Sequence, residues 1–373
     1  MAFTKIFRST HAGAPTLTGE AGSLQALLDA VLVNGYNAKT ITITRSGATA
    51  TASCVGHGFE SEQVLAISGA DQPEYTGEFR ISVNDADTFT FEVSGTPATP
   101  ATGTITAKVA PIGWATAFSS GNDRSYEAPA GANSFYLNVS DHTTANIFRL
   151  RVFSSVTGPG AAVSNGTSPV PTDAQFSGGC YAFSSSVTGA TARAWRVVGG
   201  SRGFGVYIDV AGSKSYMGGF FYTDLLGDDA DSSHSMLCGQ ASGYTSAWLG
   251  EASSVLNPTN SYMWATNGRA GATGPVEVAP FASGFSSSTL GVTAYGPSAA
   301  FGMGVSRVRV YEPNAGIWAY IPGLWAMQNA NSEFSDGDVF QGAAGGSLSG
   351  RSFEIVRMQN TCCLALETSD TVH

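Results

Sequence analysis

Five features of this 373-residue sequence could carry chemistry: a serine among glycines, an acidic loop, five scattered histidines, five cysteines and a group of aromatic residues. Gly199-Gly200-Ser201-Arg202-Gly203 matches G-x-S-x-G. In a hydrolase that motif sits on a strand-to-helix elbow, which exposes the serine to a His/Asp pair. Here a strand-like run precedes it (RAWRVV) and another follows it (FGVYIDV), the context of a glycine-rich hairpin turn. Asp228, Asp229, Asp231 and His234 form an acidic loop. Oxygen-rich loops bind Ca²⁺, but the EF-hand spacing fails, with no Gly at the sixth position and no Glu at the twelfth. A solvated loop is the simpler reading, so no metal and no cofactor is expected.

The histidines are His11, His57, His142, His234 and His373, and no pair has the i, i+4 spacing of a zinc protease helix. The cysteines are Cys54, Cys180, Cys238, Cys362 and Cys363, an odd number without a C-x-x-C pair. They read as small buried apolar residues of a reducing compartment. Six tryptophans stand at 114, 195, 248, 264, 318 and 325, most of them expected as core or subunit-interface anchors. Tyr244, Trp248, Tyr262 and Trp264 lie in Gly/Ser/Asn-rich surroundings. They are the candidate set for stacking on a glycan. No residue stands out as catalytic, and the expectation is a chain that is not an enzyme.

Composition narrows the function class. Charged residues make up 12% of the chain, about half the usual share. Lysines number four: Lys5, Lys39, Lys108 and Lys214. The formal net charge is −10, and no Lys/Arg cluster occurs. Direct nucleic-acid binding needs a basic footprint and is not expected. Nor is docking on anionic membranes. No apolar run approaches the ~18 residues of a membrane span. The first residues, MAFTKIFRSTHAGAP, lack the apolar core of a secretory signal. A surface of Ser, Thr, Asn and Gly suits a protein packed among many neighbours.

The elements that must position these residues are mostly strands. Residues 15–36 hold the one strong helical signal. Leu24, Leu27, Leu28, Val31 and Leu32 recur at helical spacing, with Ser23 as a candidate N-cap and Asn34-Gly35 as a stop. Residues 39–109 alternate β-branched and aromatic runs with turn signals, the pattern of a small sandwich or barrel. In TFTFEV, Phe89 and Phe91 face one way and Thr88, Thr90 and Glu92 the other. The tract Thr96–Thr102 reads as a stiff loop or edge. FYLNV is followed by IFRLRVF, and FGVYIDV by GGFFYTD, which reads as two copies of one hairpin. No αβ alternation appears. The expected fold is mainly β: a multi-domain β-sandwich or jelly-roll-like body, one N-terminal helix and a separate small β-domain. The expected units are 1–38 (packing with the body), 39–109 (the small β-domain), 110–230 and 231–373.

Two sets of motifs carry a resemblance. Gly56-His-Gly-Phe59, Ile67-Ser-Gly69, Tyr75-Thr-Gly77, Val83-Asn-Asp-Ala-Asp-Thr-Phe89-Thr-Phe91 and Gly95-Thr-Pro-Ala-Thr-Pro-Ala-Thr-Gly103 resemble an Ig-like β-sandwich module that recurs in tailed-phage structural proteins. Ala12-Gly-Ala-Pro15, Gly19-Glu-Ala-Gly22-Ser-Leu24, Leu28–Tyr36, Gly113-Trp114, Ile321-Pro-Gly-Leu-Trp325, Ser335-Asp-Gly-Asp-Val-Phe340 and Gly350-Arg-Ser-Phe353 resemble a family of uncharacterised phage virion proteins. In that family the chain runs almost directly from Asn-Gly-Tyr to Gly-Trp. The resemblance therefore implies that the β-module interrupts a parent fold. It implies a virion structural protein, assembled in the host cytoplasm, that forms a homo-oligomer and contacts other virion proteins. A tail tip or baseplate position, a capsid decoration or head spike, and a host-attachment protein that binds a surface glycan all remain open.

Overall fold

Side-chain volume and alternation decide where this chain makes strands, and the computed structural model is mainly β with one helix. It describes residues 4–129, 135–144, 146–169, 172–174, 177–200, 202–212, 218–224, 235–240, 261–266, 275–279, 304–312, 316–328, 335, 337–342, 349–358 and 362–368. Among these residues no helix is long and apolar enough to cross a membrane.

The helix spans Ser23–Leu28 and continues through one π-helical turn, Asp29–Asn34. Its stripe of Leu24, Leu27, Leu28, Val31 and Leu32 is fully buried. Two expectations need correction. The helix begins at Ser23 rather than near residue 15, because Leu17–Gly19 is pulled into a strand paired with Gly189–Arg193. The N-cap is Gly22, in the left-handed region at φ 85°, and not Ser23. The Ser23 hydroxyl instead donates to the Thr18 carbonyl at 2.8 Å. The stop at Asn34-Gly35 is as expected. Gly35 takes φ 69° and donates to the Ala30 carbonyl.

Residues 36–109 build two four-stranded sheets. One pairs Tyr36–Thr40, Gly103–Val109, Val64–Ala70 and Gly77–Arg80, in that order. The other pairs Thr42–Ser46, Thr49–Ser53, Thr88–Glu92 and Ser82–Val83. The sheets face each other, with the Phe79 and Phe91 ring centroids 4.7 Å apart. Phe89 and Phe91 are buried between them, as their alternation predicts. The 96–102 tract closes one side: Arg45 Nε donates to Pro97 O, Arg45 N to Thr99 Oγ1, and Ala101 N to Ile43 O. Tyr36 and Val109 are register partners, so the chain enters and leaves this sandwich side by side.

The body is a long antiparallel ladder. Ala115–Ser120, Asp123–Glu127, Tyr136–Thr144, Ile147–Phe153 and Cys180–Phe183 pair in sequence order. Cys180–Phe183 meets Ser235–Gln240, which continues through Gly218–Asp224, Gly203–Ile208 and Trp195–Gly200 to Lys5–Arg8. Both hairpin copies are therefore antiparallel pairs. The ladder folds back on itself: Phe148 on one arm meets Phe220 on the other at 5.7 Å, and Trp114 meets Phe204 at 5.4 Å. A further ladder joins Pro275–Ala279, Gly304–Glu312, Gly316–Gln328, Cys362–Glu367, Ser352–Met358 and Val339–Gln341.

Gly35 sits where helix, sandwich and body meet. A Cβ there would lie 2.3 Å from the Val109 carbonyl oxygen. Gly47, in a hairpin turn at φ 63°, has open space around it. Gly35→Ala should therefore cost about 2 kcal/mol or more, against about 1 kcal/mol for Gly47→Ala, where backbone strain acts alone. Urea unfolding of the two variants checks this; equal losses would refute the close approach.

Candidate functional site

A cluster of ionisable side chains joins four distant parts of the chain. Lys5–Arg8 and Trp195–Gly200 pair so that Arg8 stands directly opposite Arg196. Like charges directly opposite repel. A third strand resolves the conflict. The Glu354 carboxylate, fully buried, accepts from Arg8 Nη2 at 2.5 Å and Arg8 Nε at 3.3 Å. Arg196 Nε lies 3.1 Å from the same carboxylate. Arg196 Nη1 also donates to the Ile355 carbonyl at 3.0 Å. One carboxylate thus ties the N-terminal strand, the body ladder and the strand Ser352–Met358.

The cluster extends into the sandwich through His11 and Tyr36. Tyr36 Oη lies 3.0 Å from His11 Nδ1, and His11 Nε2 lies 3.6 Å from a Glu60 carboxylate oxygen. Arg8 Nη1 stands 3.8 Å from the same Glu60. Burial lowers the pKa of His11 to about 3, and the Arg8 and Arg196 charges push the same way. Burial raises the Tyr36 hydroxyl well above its usual range, and the Glu60 charge adds to it. Both rings therefore stay uncharged at neutral pH and act as hydrogen-bonding links.

Other contacts fasten the same joint. Lys5 Nζ reaches Glu78 at 2.7 Å and also the Pro111 carbonyl. Burial lowers the Lys5 pKa, and the Glu78 contact offsets part of that shift. Arg80 Nη2 donates to Thr4 O. On the helix side, Asp29 accepts from Arg124 Nε at 3.2 Å and from Tyr126 Oη at 2.7 Å. Backbone N–H groups of Ile112, Gly113 and Trp114 donate to the carbonyls of Val31 and Leu32, at the helix's C-terminal end. Those carbonyls would otherwise lack partners.

The residues singled out in the sequence fall elsewhere. Tyr244 and Trp248 lie outside the described residues. Tyr262 and Trp264 stand at alternate positions of the strand Ser261–Thr266, opposite Gly239 and Leu237. Asp228, Asp229, Asp231, His234 and Ser201 also lie outside them. The flanks of Ser201 pair as a tight hairpin, with Gly200 opposite Gly203. Among the described residues no group of three or more His, Cys, Asp or Glu is placed to hold a metal. His57 is buried and structural: Nδ1 accepts from Phe59 N at 2.9 Å, and Nε2 lies 3.1 Å from Asp85 O. Sequence reasoning missed the Arg8–Arg196–Glu354 set. Only a register argument pairing residue 8 with residue 196 could have found it.

Two outcomes follow. Glu354→Gln should destabilise the fold by ~3 kcal/mol, because the buried Arg196 guanidinium loses its counter-charge, while the partly exposed Arg8 keeps Glu60 at 3.8 Å. Replacing Arg8, Arg196 and Glu354 together by apolar residues of similar size should cost less. Unfolding curves that rank the variants the other way would overturn this account. For His11 the folded pKa is about 3 and the unfolded value 6.5, so the unfolded chain binds the extra proton between those limits. Stability should then fall as pH drops from 6.5 toward 3, with a slope of up to ~1.4 kcal/mol per pH unit from this residue. His11→Gln should remove that share of the slope; an unchanged pH profile would refute it.

No family model matches the chain, and no curated protein matches it. Among solved structures, the phage phi92 endosialidase aligns with 90% of this chain and 52% of its own length, at 9% identity and a TM-score of 0.16. The chain spans about half the length of that protein. A likeness at that score carries no argument about fold or activity.

Proposed function

We propose that this chain is a non-enzymatic structural component of a tailed-phage virion, acting through symmetric protein–protein assembly. The word phage rests on the resemblance of the 40–109 motifs and of the flanking motifs. One structural observation supports the reading: the sandwich is anchored at a single end. Its chain ends, Tyr36 and Val109, lie side by side there. Glu60 and Glu78 reach across the same joint to His11 and Lys5. The turns around Gly47, Asp71 and Thr96–Thr102 lie at the other end. They are mostly exposed and rich in Ser, Thr, Gly and Ala. A module fixed by polar contacts at one end, with weakly charged loops at its far end, is suited to stand on a particle surface and contact a neighbour or a host cell.

The tail tip or baseplate is the first position, and a capsid decoration or head spike the second. Partners are copies of this chain and other virion proteins. A host surface glycan is a further reading, with Tyr244, Trp248, Tyr262 and Trp264 as its candidate contacts.

Quantitative mass spectrometry of purified particles, with gold-labelled electron microscopy, tests the proposal. The expected result is a fixed copy number and a label confined to one part of the particle. Absence of the chain from washed particles would end it.

A further inference from the structure

We infer a buried water-binding site beneath the strap formed by residues 154–167. The strap is a small hairpin in which Ser155–Val156 pairs with Gly166–Thr167. It lies over the face of the body ladder turned away from Leu137, Val139 and Leu150. Three polar residues form one transverse row there: Ser125 is opposite Asn138, and Asn138 is opposite Arg151. All three are fully buried. Polar side chains beneath a covering loop require partners.

Asn138 anchors the strap. Its Nδ2 group donates to Gly158 O at 3.2 Å and to Gly160 O at 2.9 Å. Both amide hydrogens are thereby committed to the strap, which fixes the amide's orientation and turns Oδ1 away from those carbonyls. Neither Asn138 Oδ1 nor the neighbouring Ser125 Oγ has a protein partner. Each such buried atom destabilises the fold if left unpaired. A hydrogen-bond donor that reaches both atoms removes that cost, and water is the smallest one. Interior waters of this kind bridge two to four polar groups and form part of the fold. The site is polar on two sides, and the Arg151–Asp173 ion pair at 2.7 Å closes the row. The water would couple the sheet at Ser125 to the Asn138 amide, which holds the strap together with Ser140 Oγ, the acceptor from Ala161 N at 2.8 Å.

A crystal structure at about 1.8 Å resolution tests the site directly. The expected result is an ordered water within ~3.2 Å of both Ser125 Oγ and Asn138 Oδ1. No density there, or a direct Ser125–Asn138 hydrogen bond, would overturn it. Amide hydrogen exchange on Ser125→Ala tests the coupling in the folded chain. With one water partner removed, exchange in residues 155–167 should rise about threefold or more, while the ladder strands stay protected. Unchanged strap exchange would refute the coupling.

Discussion

Two arginines that stand face to face across a pair of strands set the terms for this fold. Arg8 and Arg196 are register partners, so the pairing of the N-terminal strand brings two cations together. Arg8 stays partly exposed and also approaches Glu60, but Arg196 is buried, and a buried guanidinium without an anion costs several kcal/mol. Glu354 supplies the anion from a strand more than 150 residues away in sequence. The N-terminal strand therefore docks with a favourable charge balance only when Ser352–Met358 is already in place, or docks with it. Two chain ends that share no hydrophobic pattern are made interdependent by one carboxylate.

The same cluster explains why the sandwich has a defined orientation on the body. Residues 36–109 have their own apolar interior, with Phe59, Phe89 and Phe91 in mutual contact. A self-sufficient unit joined by two adjacent strands could swivel. Here the joint is crossed by Lys5–Glu78, Arg80–Thr4 and the His11–Glu60 approach. Beneath it, the helix's last carbonyls accept from the backbone at 112–114. The segment that leaves the sandwich and the helix end thus satisfy each other's polar groups.

Much of this was legible in the sequence, for reasons that also mark the limits. Alternation in TFTFEV reports a half-buried strand directly, and Phe89 and Phe91 are buried. The helical stripe from Leu24 to Leu32 reads equally well, because burial of one face is a local periodic property. The helix start was misread because Ser23 looks like a cap while the backbone turns at Gly22. The strand at Leu17–Gly19, set by pairing with residues near 190, has no local signature. The charged cluster was invisible for the same reason. Arg8, His11, Tyr36, Glu60, Arg196 and Glu354 have no common spacing, and only the ladder register brings them together. The aromatic set chosen for glycan contact illustrates the reverse limit. Composition marked Tyr262 and Trp264, but nothing in their spacing says which surface they serve.

The low charge content takes on a sharper meaning once the interior is known. Lys5, Arg151, Arg193 and Arg196 are buried, four of the 18 basic residues, and Asp141, Asp209, Glu354 and Glu367 are buried among the 28 acidic ones. A chain with 12% charged residues thus keeps a notable part of them as internal ties. The four buried cations and four buried anions cancel, so they leave the formal net charge of −10 to the other side chains. Burial of charge in this chain therefore bears first on stability: each buried charge has given up its hydration, and removing one partner of a buried pair leaves the other uncompensated.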